Sequence, residues 1–346
     1  MRQSLRSAVE ICLKRGLAGL AAVGLAMGLS FPAGALNAAH TINALAFSPD
    51  GQLALSGDNS GVLRVWNVSS GQRSTLETGG NQPINSLEFS ADGKKIIAAV
   101  GWAVVIWDAA SGKAIQTFKD HHQRVLAASL SPDGSLALSG GSDDTVRLWN
   151  AATGEEIWAI EGHEDGIQGV AFSADGAFAI SAAGDKTIKI WDIKKKTLKK
   201  FMLAPDTIWS LRRSNDGKFL LTRTQNAVQL WDFASAKMLY SWTLPDEIDI
   251  HAIAFSPDGR YALAGSDWNT GSSSDIQYIQ AWDTASGSVA KSIQLKPKLV
   301  SLAISPDGKN FLTGSPYDLL QLWSWDQGQV TATWPHSDEP QPENNY

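Results

Sequence analysis

His163, Ser181 and Asp185 are the side chains of a nucleophilic hydrolase: a hydroxyl, an imidazole to accept its proton and a carboxylate to orient the imidazole. Trp191 follows them, and the same four residue types recur at the same offsets as His121, Ser139, Asp143 and Trp149. The rival reading is structural. A buried indole N–H and a buried aspartate both need partners, so these quartets would also serve to fix strand register. Other chemistry finds little support. His121-His122 is the densest imidazole pair, but His121 already belongs to a quartet, and no metal-ligand spacing occurs elsewhere. The glycine-rich segments lack the Lys-Ser/Thr and helix of a phosphate loop.

The elements that must hold these residues repeat. Ser-x-Asp-Gly turns place aspartates at 50, 92, 133, 175, 216, 258 and 307, so the period is 41 or 42 residues with one step of 49. Before each turn stands an alternating run such as "INALAFS" or "IQGVAFS", and after it one such as "LALSG" or "AFAISAAG". The Asp-Gly pair tolerates the left-handed conformation that closes a hairpin. A third run leads to Trp66, Trp107, Trp149, Trp191, Trp231, Trp282 and Trp323, and a fourth follows a short turn. Each unit therefore reads as a four-stranded antiparallel meander. Such a sheet cannot cover both its faces alone, whereas seven stacked radially close a ring. The fold class is all-β, a seven-bladed β-propeller of four-stranded antiparallel blades.

With these motifs the chain resembles the WD40-repeat family of β-propellers over residues 40–335. Trp107-Asp108, Trp191-Asp192, Trp231-Asp232 and Trp282-Asp283 match the family's name-giving pair, and Trp66-Asn67 and Trp149-Asn150 are near variants. The resemblance implies that the two His-Ser-Asp-Trp quartets are buried structural tetrads and not triads. Five repeats depart from it. Counted from turn and Trp, the hydroxyl and Asp positions hold Ser56 and Ser60, Ala98 and Gly101, Thr222 and Gln225, Ala264 and Ile276, and Thr313 and Tyr317. Those blades are expected to rest mainly on apolar packing.

From turn Asp to Trp takes 15 or 16 residues in six repeats and 24 in the sixth. The extra length falls between the second and third strands, around residues 267–275. In this family that loop shares a rim, the top, with the connections between blades. Trp268 and Asn269 would then project as a partner contact, an exposed Trp being a common interface anchor; a tolerated insertion is the alternative, since lengthening a loop costs little. The top rim also carries Arg124 in a basic stretch, and Glu164, Asp206, Glu247 and Asp249 in acidic ones on consecutive blades. Solvated loop charge would explain this pattern, as would an electrostatically steered docking face. Trp209 belongs to the inner-strand ring Asn43, Asn85, Leu126, Gln168, Trp209, His251 and Val300, which holds no carboxylate and one His. An enzyme is not expected from that ring, nor any cofactor.

Residues 1–38 read as a signal peptide. Arg2, Arg6, Lys14 and Arg15 precede an uncharged Leu/Ala/Gly stretch, Pro32 breaks it, and cleavage is expected after Ala35 or Ala38. An uncleaved membrane anchor is the alternative, the only membrane association foreseen. The sole cysteine, Cys12, lies in that segment, so the remaining chain has no thiol chemistry and no disulfide. The formal net charge is −6, and the leader holds four of the basic residues but one acid, so the rest is more acidic still. Such a charge is unsuited to nucleic acid. Domains are therefore a leader (1–38), a propeller (39–335, blades near 40–79, 80–120, 121–162, 163–203, 204–244, 245–295 and 296–335) and a disordered tail (336–346). Too little chain precedes residue 41 to add a strand to the last blade, so blade 7 should supply its own outer strand from residues 328–335. It should then meet blade 1 by face packing alone, with Trp334 at the junction. The function that fits is a monomeric, periplasmic, non-catalytic scaffold binding a protein partner on its top face. Alternatives are a small-ligand or hydrolytic propeller with its site in the central channel, and an assembly factor for an envelope complex.

Overall fold

Each Ser-x-Asp-Gly turn is closed by its own side chains. In all seven the Ser Oγ donates to the Asp Oδ1 at 2.5–2.7 Å. The same Oγ accepts the first N–H of the following strand at 2.8–2.9 Å. The Gly adopts φ near 70° in every case, which few side chains tolerate. The turn chemistry alone thus sets the hairpin, seven times over.

The computed structural model describes residues 40–244, 248–268, 277–295 and 298–336; the leader falls outside them. Among the described residues, 28 strands form seven four-stranded antiparallel meanders. Blade 1 is β1 (Ile42–Phe47), β2 (Leu53–Asp58), β3 (Leu63–Asn67) and β4 (Arg73–Leu76); blade 2 is β5 (Ile84–Phe89), β6 (Lys95–Val100), β7 (Ala103–Asp108) and β8 (Ala114–Phe118). Blade 3 is β9 (Val125–Leu130), β10 (Leu136–Gly141), β11 (Thr145–Asn150) and β12 (Glu156–Glu161). Blade 4 is β13 (Ile167–Phe172), β14 (Phe178–Ala183), β15 (Thr187–Asp192) and β16 (Thr197–Leu203). Blade 5 is β17 (Ser210–Arg213), β18 (Phe219–Arg223), β19 (Ala227–Asp232) and β20 (Lys237–Thr243). Blade 6 is β21 (Ile248–Phe255), β22 (Tyr261–Trp268), β23 (Gln277–Asp283) and β24 (Val289–Leu295). Blade 7 is β25 (Ser301–Ile304), β26 (Asn310–Gly314), β27 (Leu319–Ser324) and β28 (Gln329–Pro335). Each innermost strand contacts that of the next blade, and β25 contacts β1, which closes the ring.

The core is divided into seven clusters, and each lies between two adjacent blades. The repeat Trp is the largest member of its cluster and faces the preceding blade. In blades 3, 4 and 6 a ring partner comes from the preceding blade's outermost strand: Phe118 on Trp149, Trp242 on Trp282 (both 4.9 Å, stacked) and Trp158 edge-on to Trp191 at 6.2 Å. Burying an aromatic side chain of this size contributes about 2–3 kcal/mol, so each interface carries its own anchor.

Blade 6 differs in strand length, not only in loop length. β22 runs to Trp268, with Asp267 paired to Asp249 and to Gln277, and Trp268 paired to Ile248. Asp267 and Trp268 therefore sit on a lengthened hairpin and not in a loop as the repeat spacing suggested, while residues 269–276, Asn269 among them, lie outside the described residues.

Candidate functional site

The two quartets assemble. His163 Nδ1 lies 2.9 Å from Asp185 and its Nε2 lies 2.7 Å from Ser181 Oγ, to which Trp191 Nε1 donates at 2.9 Å. In blade 3 the corresponding distances are 2.9 Å (His121–Asp143), 2.8 Å (His121–Ser139) and 2.9 Å (Trp149–Ser139). One protonation pattern satisfies every atom. The indole donates to Oγ, the hydroxyl proton goes to Nε2, and the imidazole's one proton, on Nδ1, goes to the carboxylate. The imidazole is neutral there: burial pulls His121 and His163 below the ordinary histidine range, against the pull of Asp143 and Asp185. Burial opposes ionisation of Asp185 too, but the Thr187 hydroxyl, the Glu164 N–H and His163 together hold it at about 2. Ser139 and Ser181 are fully buried under their Trp rings, so neither Oγ is open to an acyl substrate. The geometry is that of a staple between strands and across to the preceding blade.

Blade 1 corrects the expectation that it lacks an aspartate. Asp58, two residues ahead of the position held by Ser60, is fully buried at the end of β2. It accepts from the N–H groups of Ser60 and Val62 and from the Ser60 hydroxyl at 2.8–2.9 Å, and His40 Nδ1 stands 2.9 Å away. Trp66 Nε1 donates to Ser56 Oγ at 2.7 Å. His336, expected to open the disordered tail, is instead fully buried beside this group, its Nδ1 3.6 Å from Asp58 and its ring 6.3 Å from that of Trp66. In blades 3 and 4 the tetrad His comes from the link between an outer strand and the next inner strand. At the junction of blades 7 and 1 that link is cut, and its two stumps each supply a histidine.

Polar contacts thus join the face packing expected at the closure. Trp334 stacks on Trp66 at 5.7 Å, Arg73 caps Trp66 and donates to the Pro335 carbonyl, and Ser301 Oγ donates to the Ile42 carbonyl at 2.7 Å. β28 is blade 7's own outer strand. Elsewhere the Trp keeps a hydroxyl without an Asp, at Thr222 for Trp231 and Thr313 for Trp323, both 2.9 Å, whereas Trp107 turns to the Glu77 carbonyl at 3.1 Å.

The strand ends place the second-to-third strand turns and the links between blades on one rim, as β9 beginning opposite the end of β10 shows. On this top rim Arg124 and Glu164 are exposed, Asp206 is exposed with Lys186 at 3.5 Å, and Asp249 is half-buried on β21. Trp209 is 46% exposed at the channel mouth. Glu247 lies outside the described residues, and of Trp268 only the strand position is described. Two further aromatic residues join Trp209: Trp102, 60% exposed in the blade 2 turn, and Tyr317, 46% exposed in the blade 7 turn, which repeat counting placed at the Asp position without reading it as a contact. Their signal was local. "GW" and "PYD" set an aromatic residue where other repeats have small or polar turn residues.

The central channel encloses about 870 Å³. It contains more charge than its mouth ring implied, since Glu88, Arg212, Arg213 and Arg223 all line it. Glu88 accepts from the Leu130 N–H at 2.6 Å, pinning blade 2 to blade 3. Burial pushes its carboxyl up, against the pull of that N–H, Ser129 and the two arginines. Among the described residues no three His, Cys, Asp or Glu side chains gather as metal ligands.

Comparison with known proteins agrees with this architecture. The family described as "IFT122 first beta-propeller" matches residues 83–339, and "WD domain, G-beta repeat" matches residues 34–67. Similar proteins include the small ribosomal subunit protein RACK1z of Oryza sativa subsp. japonica, 36% identical over 31% of this chain and 34% of that one. The guanine nucleotide-binding protein subunit beta of Schizosaccharomyces pombe is 30% identical over 27% and 31% of the two chains. An uncharacterized WD repeat-containing protein, sll1491 of Synechocystis sp., is 35% identical over 28% of each. These alignments span about a third of each relative or less. With seven four-stranded blades, complete tetrads in blades 3 and 4, and family matches that together extend from residue 34 to residue 339, this chain belongs to the WD40-repeat family of β-propellers.

Proposed function

We propose that this protein is a non-catalytic scaffold that captures a protein partner on the top rim of the propeller. The observation that carries the reading is the set of three exposed aromatic side chains on that rim, Trp102, Trp209 and Tyr317. Large rings left in water on short turns are typical interface anchors. The acidic positions Glu164, Asp206, Glu247 and Asp249 on blades 4 to 6 favour a partner with a basic face, steering its approach. The leader, with four basic residues ahead of an uncharged stretch, supports export and action in the periplasm.

Pull-down from periplasmic extract tests both parts. Trp102→Ala, Trp209→Ala and Tyr317→Ala should each weaken capture of the partner while leaving the melting temperature in place, as should Trp268→Ala on the blade 6 hairpin. Retained capture in all four would move the interface off the top rim. Intact mass of protein from osmotic-shock fluid should correspond to a chain starting near residue 36 or 39; a full-length species confined to membranes would contradict export.

A further inference from the structure

Blade 5 breaks the repeat at three positions that point the same way. Two residues before the turn Ser, five blades carry Ala or Ser, but blade 2 carries Glu88 and blade 5 carries Arg212. One residue before it, six blades carry Phe, Leu or Ile, but blade 5 carries Arg213. Just after the hydroxyl position of the second strand, the other six blades have Gly or Ala and blade 5 has Arg223. That small residue is a packing requirement: a Cβ at Gly57 or Gly140 would run into the first inner-strand residue of the next blade, Ile84 or Ile167, and one at Gly265 into Leu299 just ahead of β25. Arg223 stands where such a contact belongs and instead donates from Nη1 to the carbonyl of Ile250 at 2.7 Å, with its Nε buried and unmatched.

All three guanidinium groups line the channel, and each is fixed through one nitrogen. Arg212 Nη1 donates to the Leu211 carbonyl at 2.9 Å, and Arg213 Nη1 to the carbonyls of Ser214 and Asn215 at 2.9 and 3.3 Å. A guanidinium has five N–H donors in a rigid fork, so most of the donors remain to be used. Among the described residues none of the three forms an ion pair. Glu88 faces them from blade 2 but is spent on Leu130 and Ser129; Asp216 acts on Arg213 from the bottom turn and Asp249 on Arg223 from the top. Burial depresses all three arginines, Arg223 to about 10 with Arg212 adding repulsion, yet each remains cationic at neutral pH. Arg212 is open to the channel and Arg213 and Arg223 are half-buried, so unspent donors stand within reach of a ligand in the channel.

We propose that the blade 5 wall of the channel is a binding site for a compact multivalent oxyanion, a phosphate or carboxylate species of at least two charges, gripped by Arg212 and Arg223, with Arg213 adding positive charge from the bottom end of β17. Planar forks held in advance suit both oxyanion types in bidentate fashion. Trp209 at the mouth offers a face for any organic part of the ligand. The arginines lie inside the channel and not on the rim proposed to hold a protein partner; Trp209 alone is common to both, and the anion test does not involve it.

Titrating the full chain with pyrophosphate and with citrate at low ionic strength tests the assignment, read by heat of binding and by melting temperature. One equivalent of at least one of them should bind and raise the melting point, and Arg212→Gln and Arg223→Gln should each weaken binding by about tenfold or more. Preference for pyrophosphate identifies phosphate as the source, and preference for citrate identifies carboxylate. Arg212→Lys, which keeps the charge but loses the fork, should fall between wild type and Arg212→Gln. Should Arg223→Gln fail to fold, Arg212, whose guanidinium bonds its neighbour's carbonyl, carries the test by itself. Absence of binding of both anions up to millimolar concentration, or unchanged binding in Arg212→Gln, overturns the proposal.

Discussion

Protonation of His163 at Nε2 would take away the acceptor that the Ser181 hydroxyl uses, and the same holds for His121 and Ser139. The folded state resists that proton, as the lowered pKa of His121, His163 and His336 shows, each lowered first by burial. The unfolded chain does not resist it, and its histidines take up protons below about pH 6.5. Stability should therefore be full above that value and fall as the pH drops from it toward the lower folded values. Asp185, held at about 2, adds its own loss only below the ordinary carboxylate range near 4. Urea midpoints between pH 8 and 5 check this: they should decline, and His163→Gln should flatten the slope while lowering the whole curve. Ser181→Ala should cost ~1–3 kcal/mol by leaving the Trp191 indole and His163 unmatched, whereas Trp102→Ala should cost almost nothing. Equal losses in chemical denaturation would mean that the staple has been misplaced.

At the scale of the strand, repetition made the fold readable. Seven Asp-Gly turns at near-constant spacing identify the hairpins, and hydroxyl, Asp and Trp offsets identify the staples of blades 3 and 4 without any coordinates. The same averaging hid what departs from it. Asp58 escaped because it acts from two residues ahead of the usual place, reaching the same buried spot from the end of β2. Arg212, Arg213 and Arg223 escaped because a reading confined to the mouth ring does not look down the channel. Trp268 was placed in a loop because the sequence shows added length but not whether the added residues pair. Since other blades have Gly or Ala at the position of Arg223, Arg223→Ala should melt no lower than wild type; removing an unpaired buried charge offsets the lost carbonyl bond. A drop of several degrees would show that the arginine is a needed blade 5–6 tie.

The whole ring depends on one junction that no repeat count could specify, because its partners lie at opposite ends of the chain. Ile42 N–H donates to the Ser315 carbonyl at 3.1 Å, Asp318 N–H to the His40 carbonyl at 3.1 Å, and His336 N–H to the Asp318 carbonyl at 2.8 Å. Replacing His336 with Ala keeps that backbone bond but removes a fully buried ring beside Trp66 and Asp58, and should cost ~1–3 kcal/mol. Deleting residues 328–346, and with them β28, should uncover Trp66 and open the ring, visible as an increased hydrodynamic radius and quenchable indole fluorescence. A closed, equally stable molecule after that deletion would show that β28 is dispensable.

The histidines that flank this junction also set an order of events during folding. Blades 2 to 6 hold partners on both sides once their neighbours have reached the compartment in which the chain folds, so they can consolidate in turn. Blade 1, though first to appear, cannot. Its Trp66 waits uncovered for Trp334, and Asp58 waits for His336, with nearly the whole chain still to arrive. During that interval its face is an exposed sheet surface of the kind that holdase chaperones recognise. A premature stop anywhere within the last blade would leave it in that condition permanently, so the first blade acts as the proofreader of the last.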